Sequence, residues 1–188
     1  MQATGTQLAK QSARDAAVIR EASLAVGEQQ YLTFQLGDEM FAIGILSIRE
    51  IIEYGLVTEV PMTPPFIRGV INLRGAVVPV LDLAVRFGKK GRDSTKRTCI
   101  VIVEIETDKG NHEMGVVVDA VNEVLEISHA DIEAPPEFGA RIRSDFIKGM
   151  GKINGKFVII LDANRVLSVD EVAVIANMGR MEAQSASD

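Results

Sequence analysis

The chain contains no tryptophan, two tyrosines, seven phenylalanines, two histidines and one cysteine among its 188 residues. Each shortage removes a class of function. One cysteine forbids an intrachain disulfide and suits a reducing compartment. His112 and His129 have no second metal ligand three or four residues away, so their spacing speaks against a zinc site. Cys99 lies in an apolar run with no histidine near it in sequence, and reads as a small buried hydrophobe before a nucleophile. A net charge of −6 with few aromatics argues against a nucleic-acid footprint, which needs clustered Lys and Arg. No apolar run approaches the ~18 residues of a membrane span. The N-terminal stretch carries Lys10, Arg14 and Arg20 but lacks the apolar centre of a signal peptide. The expectation is a soluble, cytoplasmic protein with no cofactor, no metal, no catalytic activity and no membrane insertion.

What the chain has in quantity is aliphatic residues, within a hydrophobic content of 47%. They centre on residues 67–87, IRGVINLRGAVVPVLDLAVRF, which read as strand, tight turn, strand and short helix. Arg74-Gly75 supplies the turn, with glycine free to take positive φ. Pro79 forfeits an N–H and is expected to face an edge. Asp82 stands at an N-cap position, and Gly88 at the stop. The pattern returns ungapped at 147–167, IKGMGKINGKFVIILDANRVL, pairing Gly69 with Gly149, Gly75 with Gly155 and Asp82 with Asp162 at an offset of 80. Upstream, 41–53 aligns with 114–126 at an offset of 73, so the second copy carries seven extra residues, placed at 137–143. The chain therefore reads as two diverged copies of one β unit.

In chain order, residues 1–28 are polar and Ala-rich and read as a flexible leader. Residues 31–36 alternate and pair with 40–45 as a hairpin. Strands follow at 49–54 and 98–105, separated by the central stretch and by the basic linker 89–96. Pro61, Pro64 and Pro65 enforce a rigid connection, echoed by Pro135 and Pro136. Ser168 and Glu171 form a capping box for a terminal helix over 168–181, with a fraying tail at 182–188. The two copies are expected to fold as sub-barrels over about 31–88 and 98–167.

Catalytic motifs are scarce. Asp82 and Asp162 could form a carboxylate pair, but their repeated place at a strand-to-helix corner favours caps. Residues 149–156 are glycine-rich, yet Met150, Phe157 and the strand that follows break a phosphate-loop pattern. An enzyme would need convergent titratable groups, and a nucleic-acid or ligand-binding barrel is the other rival. Charged residues planted among apolar ones, Arg49, Glu50 and Arg74, read as solvated faces or as recognition. Arg74 aligns with neutral Asn154, so its charge is not demanded by the turn.

The segments YLTFQLGDEMFAI, SIREIIE, TPPFIRGVINLRGAVVPVLDL, MGVVVDAVNEVLEI and LDANRVL together resemble the bacterial chemotaxis coupling proteins, the CheW family, over about residues 29–176. The resemblance implies a mainly β fold of two SH3-like five-stranded barrels in a pseudo-two-fold repeat, plus a C-terminal helix. It implies a non-catalytic scaffold that joins the cytoplasmic tips of methyl-accepting chemoreceptors to the regulatory domain of the chemotaxis histidine kinase. On matching positions it implies receptor binding near the seam between barrels by Ile48, Arg74, Cys99 and Val121. It implies kinase binding by Glu50, Ile51 and Val77. Gly75 and Gly155 are the structural turn residues, and Cys99 stands where an aliphatic residue is commoner.

Overall fold

The computed structural model of the chain describes residues 28–137 and 145–167. The expected leader, terminal helix and tail, and the insertion at 137–143 apart from Glu137, lie outside the described residues. Among the described residues eleven strands and two short helices run in the order β1 (Glu28–Leu36), β2 (Glu39–Gly44), β3 (Ile48–Glu53), β4 (Ile67–Leu73), β5 (Ala76–Asp82), α1 (Leu83–Arg86), β6 (Cys99–Thr107), β7 (Gly110–Val118), β8 (Ala120–Ser128), β9 (Ile132–Glu133), β10 (Ile147–Ile153), β11 (Lys156–Leu161) and α2 (Ala163–Val166). They form two sheets, ordered β3-β6-β7-β5-β4 and β8-β1-β2-β11-β10-β9.

The repeat is visible in the register. In the first sheet β5 runs parallel to β7, with Val80 level with Gly115. In the second, β11 runs parallel to β2, with Ile160 level with Ala42. Val80 and Ile160 differ by 80 and Ala42 and Gly115 by 73, the two offsets read from the sequence. The halves do not fold separately, however. The expected sub-barrels at 31–88 and 98–167 are corrected here: hairpin β1–β2 sits in the sheet with β8, β10 and β11, while β6–β7 sits with β3, β4 and β5. The copies have exchanged their hairpins. The reason lies in two short links, a 3-10 turn at Ile45–Ser47 and the single residue Asp119, which carry the chain from one sheet straight into the other. Alternation in sequence fixes which face of a strand is apolar, but not which copy supplies its neighbour.

Exchange explains the core. Along β6, Ile100 and Ile102 point into the first barrel with Ile71, Val78, Val80 and Val117. The alternate residues Val101, Val103 and Ile105 point to the seam, where they meet Leu32, Phe34, Leu36, Phe41, Ile43, Leu81, Val116 and Leu161. The second barrel is filled by Tyr31, Ala42, Ile127, Val158 and Ile160. The seam cluster is the largest and draws on both sheets, so the barrels share a core. Stacked rings of Phe34, Phe41, Phe87 and Phe146 run through it, with successive centroids 6.1, 5.6 and 5.4 Å apart.

The strand-to-helix corners behave as caps in both copies. Asp82 accepts a hydrogen bond from the Val85 N–H at 3.2 Å, and Asp162 one from Arg165 at 3.3 Å. Asp82 is also buried against Arg68, whose Nη2 and Nε both reach Oδ2 at 2.8 and 3.0 Å. Arg68 further donates to the Arg92 carbonyl oxygen at 3.3 Å, which tethers the basic linker to the first barrel. Pro79 lies in an interior strand, not at an edge. It tolerates that place because Val70–Pro79 is a non-hydrogen-bonded pair counted from the turn, and the ladder to β7 begins only at Val80. His112 falls within β7 rather than in a turn.

In the β4–β5 and β10–β11 turns both central residues have positive φ: Arg74 and Gly75 at 53° and 87°, Asn154 and Gly155 at 49° and 76°. These are type I′ turns, the form whose twist matches paired strands. The sequence reading gave positive φ to the glycine of the turn; Arg74 takes it as well. Asparagine tolerates the left-handed region, whereas arginine there costs on the order of 1 kcal/mol.

Candidate interaction surface

The first barrel presents a charged mouth beside an apolar face. On β3, Ile52 turns into the barrel and packs with its core. Glu50 lies on the same face two residues earlier, beyond the apolar layer, level with Ile102 on β6. The β4–β5 turn brings Arg74 to it, and Nη2 pairs with Glu50 Oε1 at 2.9 Å, with the arginine side chain 75% exposed. An ion pair this open contributes well under about 1 kcal/mol. Folding therefore gains little from Arg74, while its backbone is strained. Arg49, next to Glu50 in sequence, is instead held by Glu104 on the neighbouring strand.

Ile51 and Val77 point outward from the same barrel, and Val77 is 74% exposed. Two large apolar side chains are thus left in water on the barrel that carries the ion pair, so apolar area is flanked by polar residues. The second barrel repeats the apolar half of the device. Adding 73 to Ile51 and 80 to Val77 gives Val124 and Phe157, both exposed as well. Sequence reasoning did not single these out, although the two offsets were sufficient to find them. It also missed Leu56, Val60 and Met62 in the loop before β4, for which no sequence signal existed.

Ile48, Cys99 and Val121 all border the seam, with Ile48 and Cys99 towards opposite ends of the β3–β6 ladder. All three are half-buried and pack on the shared cluster, Ile48 and Cys99 from the first sheet and Val121 from the second. Val121 stands level with Phe34, and Ile48 with Val103. Burial pushes the Cys99 thiol above its ordinary pKa, and Glu53, its partner across the β3–β6 ladder, adds to the effect. The thiol also donates to the Arg97 carbonyl oxygen at 3.3 Å. This is the environment of a packing residue, not of an activated thiolate. Arg74 is not part of that cluster; its contact is Glu50. Glu50 joins the two groups, being two residues from Ile48, adjacent to Ile51 and paired with Arg74.

Among the described residues no three of His, Cys, Asp and Glu converge as a metal site. The depression between the β1–β2 turn and the linker balances Arg92, Lys96 and Arg97 against Asp38, Asp93 and Asp119, and offers no nucleophile–base pair. No helix among the described residues is long and apolar enough to cross a membrane.

A sequence model of the CheW-like domain matches residues 30–171. The chain belongs to the CheW family. Relatives include the chemotaxis protein CheW of Klebsiella aerogenes, 35% identical over 165 residues that cover 88% of this chain and 96% of that one. Protein FrzA of Myxococcus xanthus is 31% identical over 157 residues, 82% of this chain and 95% of its own. The crystal structure of scaffolding protein TtCheW from Thermoanaerobacter tengcongensis matches with a TM-score of 0.66 and 36% identity, over 74% of this chain and 92% of that one. The two-barrel SH3-like architecture is the family's, and the expectation drawn from the sequence holds.

Proposed function

We propose that the chain joins the cytoplasmic tips of methyl-accepting chemoreceptors to the regulatory domain of the chemotaxis histidine kinase. The broader role follows from family membership: the chain is a non-catalytic scaffold of chemotaxis signalling. In the finer reading, Ile51 and Val77 meet a barrel of the kinase. Ile48, Cys99 and Val121 at the seam receive the apolar face of a receptor helix, a helix-in-groove contact. Arg74 and Glu50, paired between the two groups, orient the partners. The chain then reaches the membrane only through the receptors it binds, without inserting.

The observation that carries this reading is the Arg74–Glu50 pair. An arginine kept in a left-handed turn position that its repeat counterpart fills with asparagine carries a local cost that its exposed ion pair at best offsets, so the fold does not require it. Oriented charge beside exposed apolar area gives a protein surface specificity more than affinity. The test is binary binding to the two purified partners. Val77→Asn should weaken kinase-domain binding at least tenfold and leave receptor-tip binding unchanged, and Val121→Asn should do the reverse. Equal effects of both variants on both partners would remove the assignment of separate surfaces.

A further inference from the structure

Ile48, Glu50 and Ile51 are close neighbours on β3, yet they face different ways. Ile48 stands level with Val103 and Ile51 with Val101, both of which face the seam. Glu50 stands level with Ile102, which faces the barrel. Strict alternation would put Ile48 and Glu50 on one face. The register shifts between them, so Arg49 is the extra residue of a β-bulge. That bulge turns Glu50 towards Arg74 while Ile48 and Ile51 stay outside the barrel.

The second copy carries a bulge at the matching place and secures it differently. On β8 the register shifts between Val124, level with Leu32, and Val121, level with Phe34. Asn122 and Glu123 there occupy the positions of Arg49 and Glu50 at the offset of 73. A buried hydroxyl pins this backbone: Thr33 Oγ1 donates to the Glu123 carbonyl oxygen at 2.8 Å and accepts from the Glu123 N–H at 3.2 Å. In the first copy the residue facing Glu50 is Ile102, whose side chain can form no such bond. The first bulge is fastened from outside instead. Arg49 Nε donates to Glu104 Oε2 at 2.9 Å, Nη2 reaches the same oxygen, and Asn111 Nδ2 donates to Glu104 Oε1 at 3.2 Å. The arginine side chain is 53% exposed, and ion pairs so open hold their geometry only weakly. Among the described residues β3 ends its sheet, so no second ladder braces the bulge.

We propose that Arg49 is a positioning residue for both partners. Paired with Glu104, it holds the β3 bulge in the one arrangement that presents Ile48 to the receptor, Ile51 to the kinase and Glu50 to Arg74. The proposal rests on the reading that Ile48 meets the receptor and Ile51 the kinase. Its consequence is linkage between the two sites. A partner that binds only the fastened bulge loses affinity in proportion to the chains whose bulge is loose, and the other partner, once bound, restores it.

The test uses the full chain, the immobilised regulatory domain of the chemotaxis histidine kinase and a soluble receptor-tip fragment. Arg49→Glu sets a carboxylate against Glu104 and against Glu113, which stands level with Glu104 on β7. Both members of the wild-type pair reach solvent, so the variant should melt within a few degrees of wild type. Kinase affinity should fall by roughly threefold or more, and receptor-tip affinity by the same factor. Saturating receptor tip should return the variant's kinase affinity to within about twofold of wild type. Arg49→Glu combined with Glu104→Arg should restore both affinities unaided. A kinase loss that persists at saturating receptor tip would make Arg49 a direct kinase contact and overturn the proposal. A loss confined to one partner, or one the reversed pair does not restore, would overturn it as well. If Arg49→Glu binds both partners like wild type while Val77→Asn still weakens kinase binding, the present inference is wrong and the underlying reading stands. Wild type that binds neither partner sinks both.

Discussion

Replacing Arg74 by asparagine, the residue its own repeat uses, separates folding from recognition at one atom-level site. Arg74 sits at φ 53° and Asn154 at φ 49°, so the substitution asks for no change of backbone. A left-handed conformation costs an ordinary L-residue roughly 1–2 kcal/mol, of which asparagine recovers a part through local hydrogen bonding. Against this stands the lost pair with Glu50, which at such exposure is worth roughly 0.2–1 kcal/mol. The two terms nearly cancel. Arg74→Asn should therefore unfold in urea within about 0.5 kcal/mol of wild type, with any residual on the stabilised side. Binding should respond differently. Where the guanidinium–carboxylate pair is desolvated by a partner, truncation costs roughly 2–5 kcal/mol, or at least thirtyfold in affinity for the kinase–receptor assembly. Urea melts and titration calorimetry on the same preparation read both quantities. A loss of more than about 1 kcal/mol of stability, or wild-type assembly by the variant, refutes the reasoning.

Other consequences arise from the shared core and the turns. Leu81 is fully buried in the seam cluster, so Leu81→Ala should cost about 3 kcal/mol. Because that cluster belongs to both sheets, the melt should remain a single transition by fluorescence and by circular dichroism alike. Gly75→Val should destabilise by about 2 kcal/mol through its backbone alone, since a Cβ there meets nothing within 4 Å while φ stays at 87°. Cys99, its thiol pKa raised by burial and by Glu53, should react with iodoacetamide more slowly than a free cysteine at pH 8. The gap should narrow as pH climbs through the raised pKa; alkylation faster than the free thiol contradicts the packing role.

Much of this architecture is legible in the sequence. Period-two alternation places the strands, paired glycines place the turns, and Asp82 and Asp162 are recognisable as caps because a short polar residue precedes each helical turn. Gly69 and Gly149 recur for a reason the sequence could not state: a closing strand passes against both. Strand exchange was not legible. The faces of β1 and β2 look the same whether they complete their own copy or the other, and the choice is made by two short links crossing the seam. The site was legible in the same uneven way. Ile48, Cys99 and Val121 border the seam, whereas Arg74, grouped with them by the resemblance, pairs instead with Glu50 on the first barrel. The strain at Arg74 became visible only when its φ was known, and Leu56 gave no sign because exposure of a lone leucine leaves no pattern.

The claim at the centre of the account is that one chain holds receptor and kinase together. Co-sedimentation tests it directly, with receptor-bearing vesicles, the full-length kinase and the chain mixed in pairs and then all together. The account predicts that kinase pellets with the vesicles only when the chain is present, and that Arg74→Asn, folded as wild type, fails to recruit it. Kinase that pellets equally without the chain, or that stays in the supernatant with it, contradicts the account.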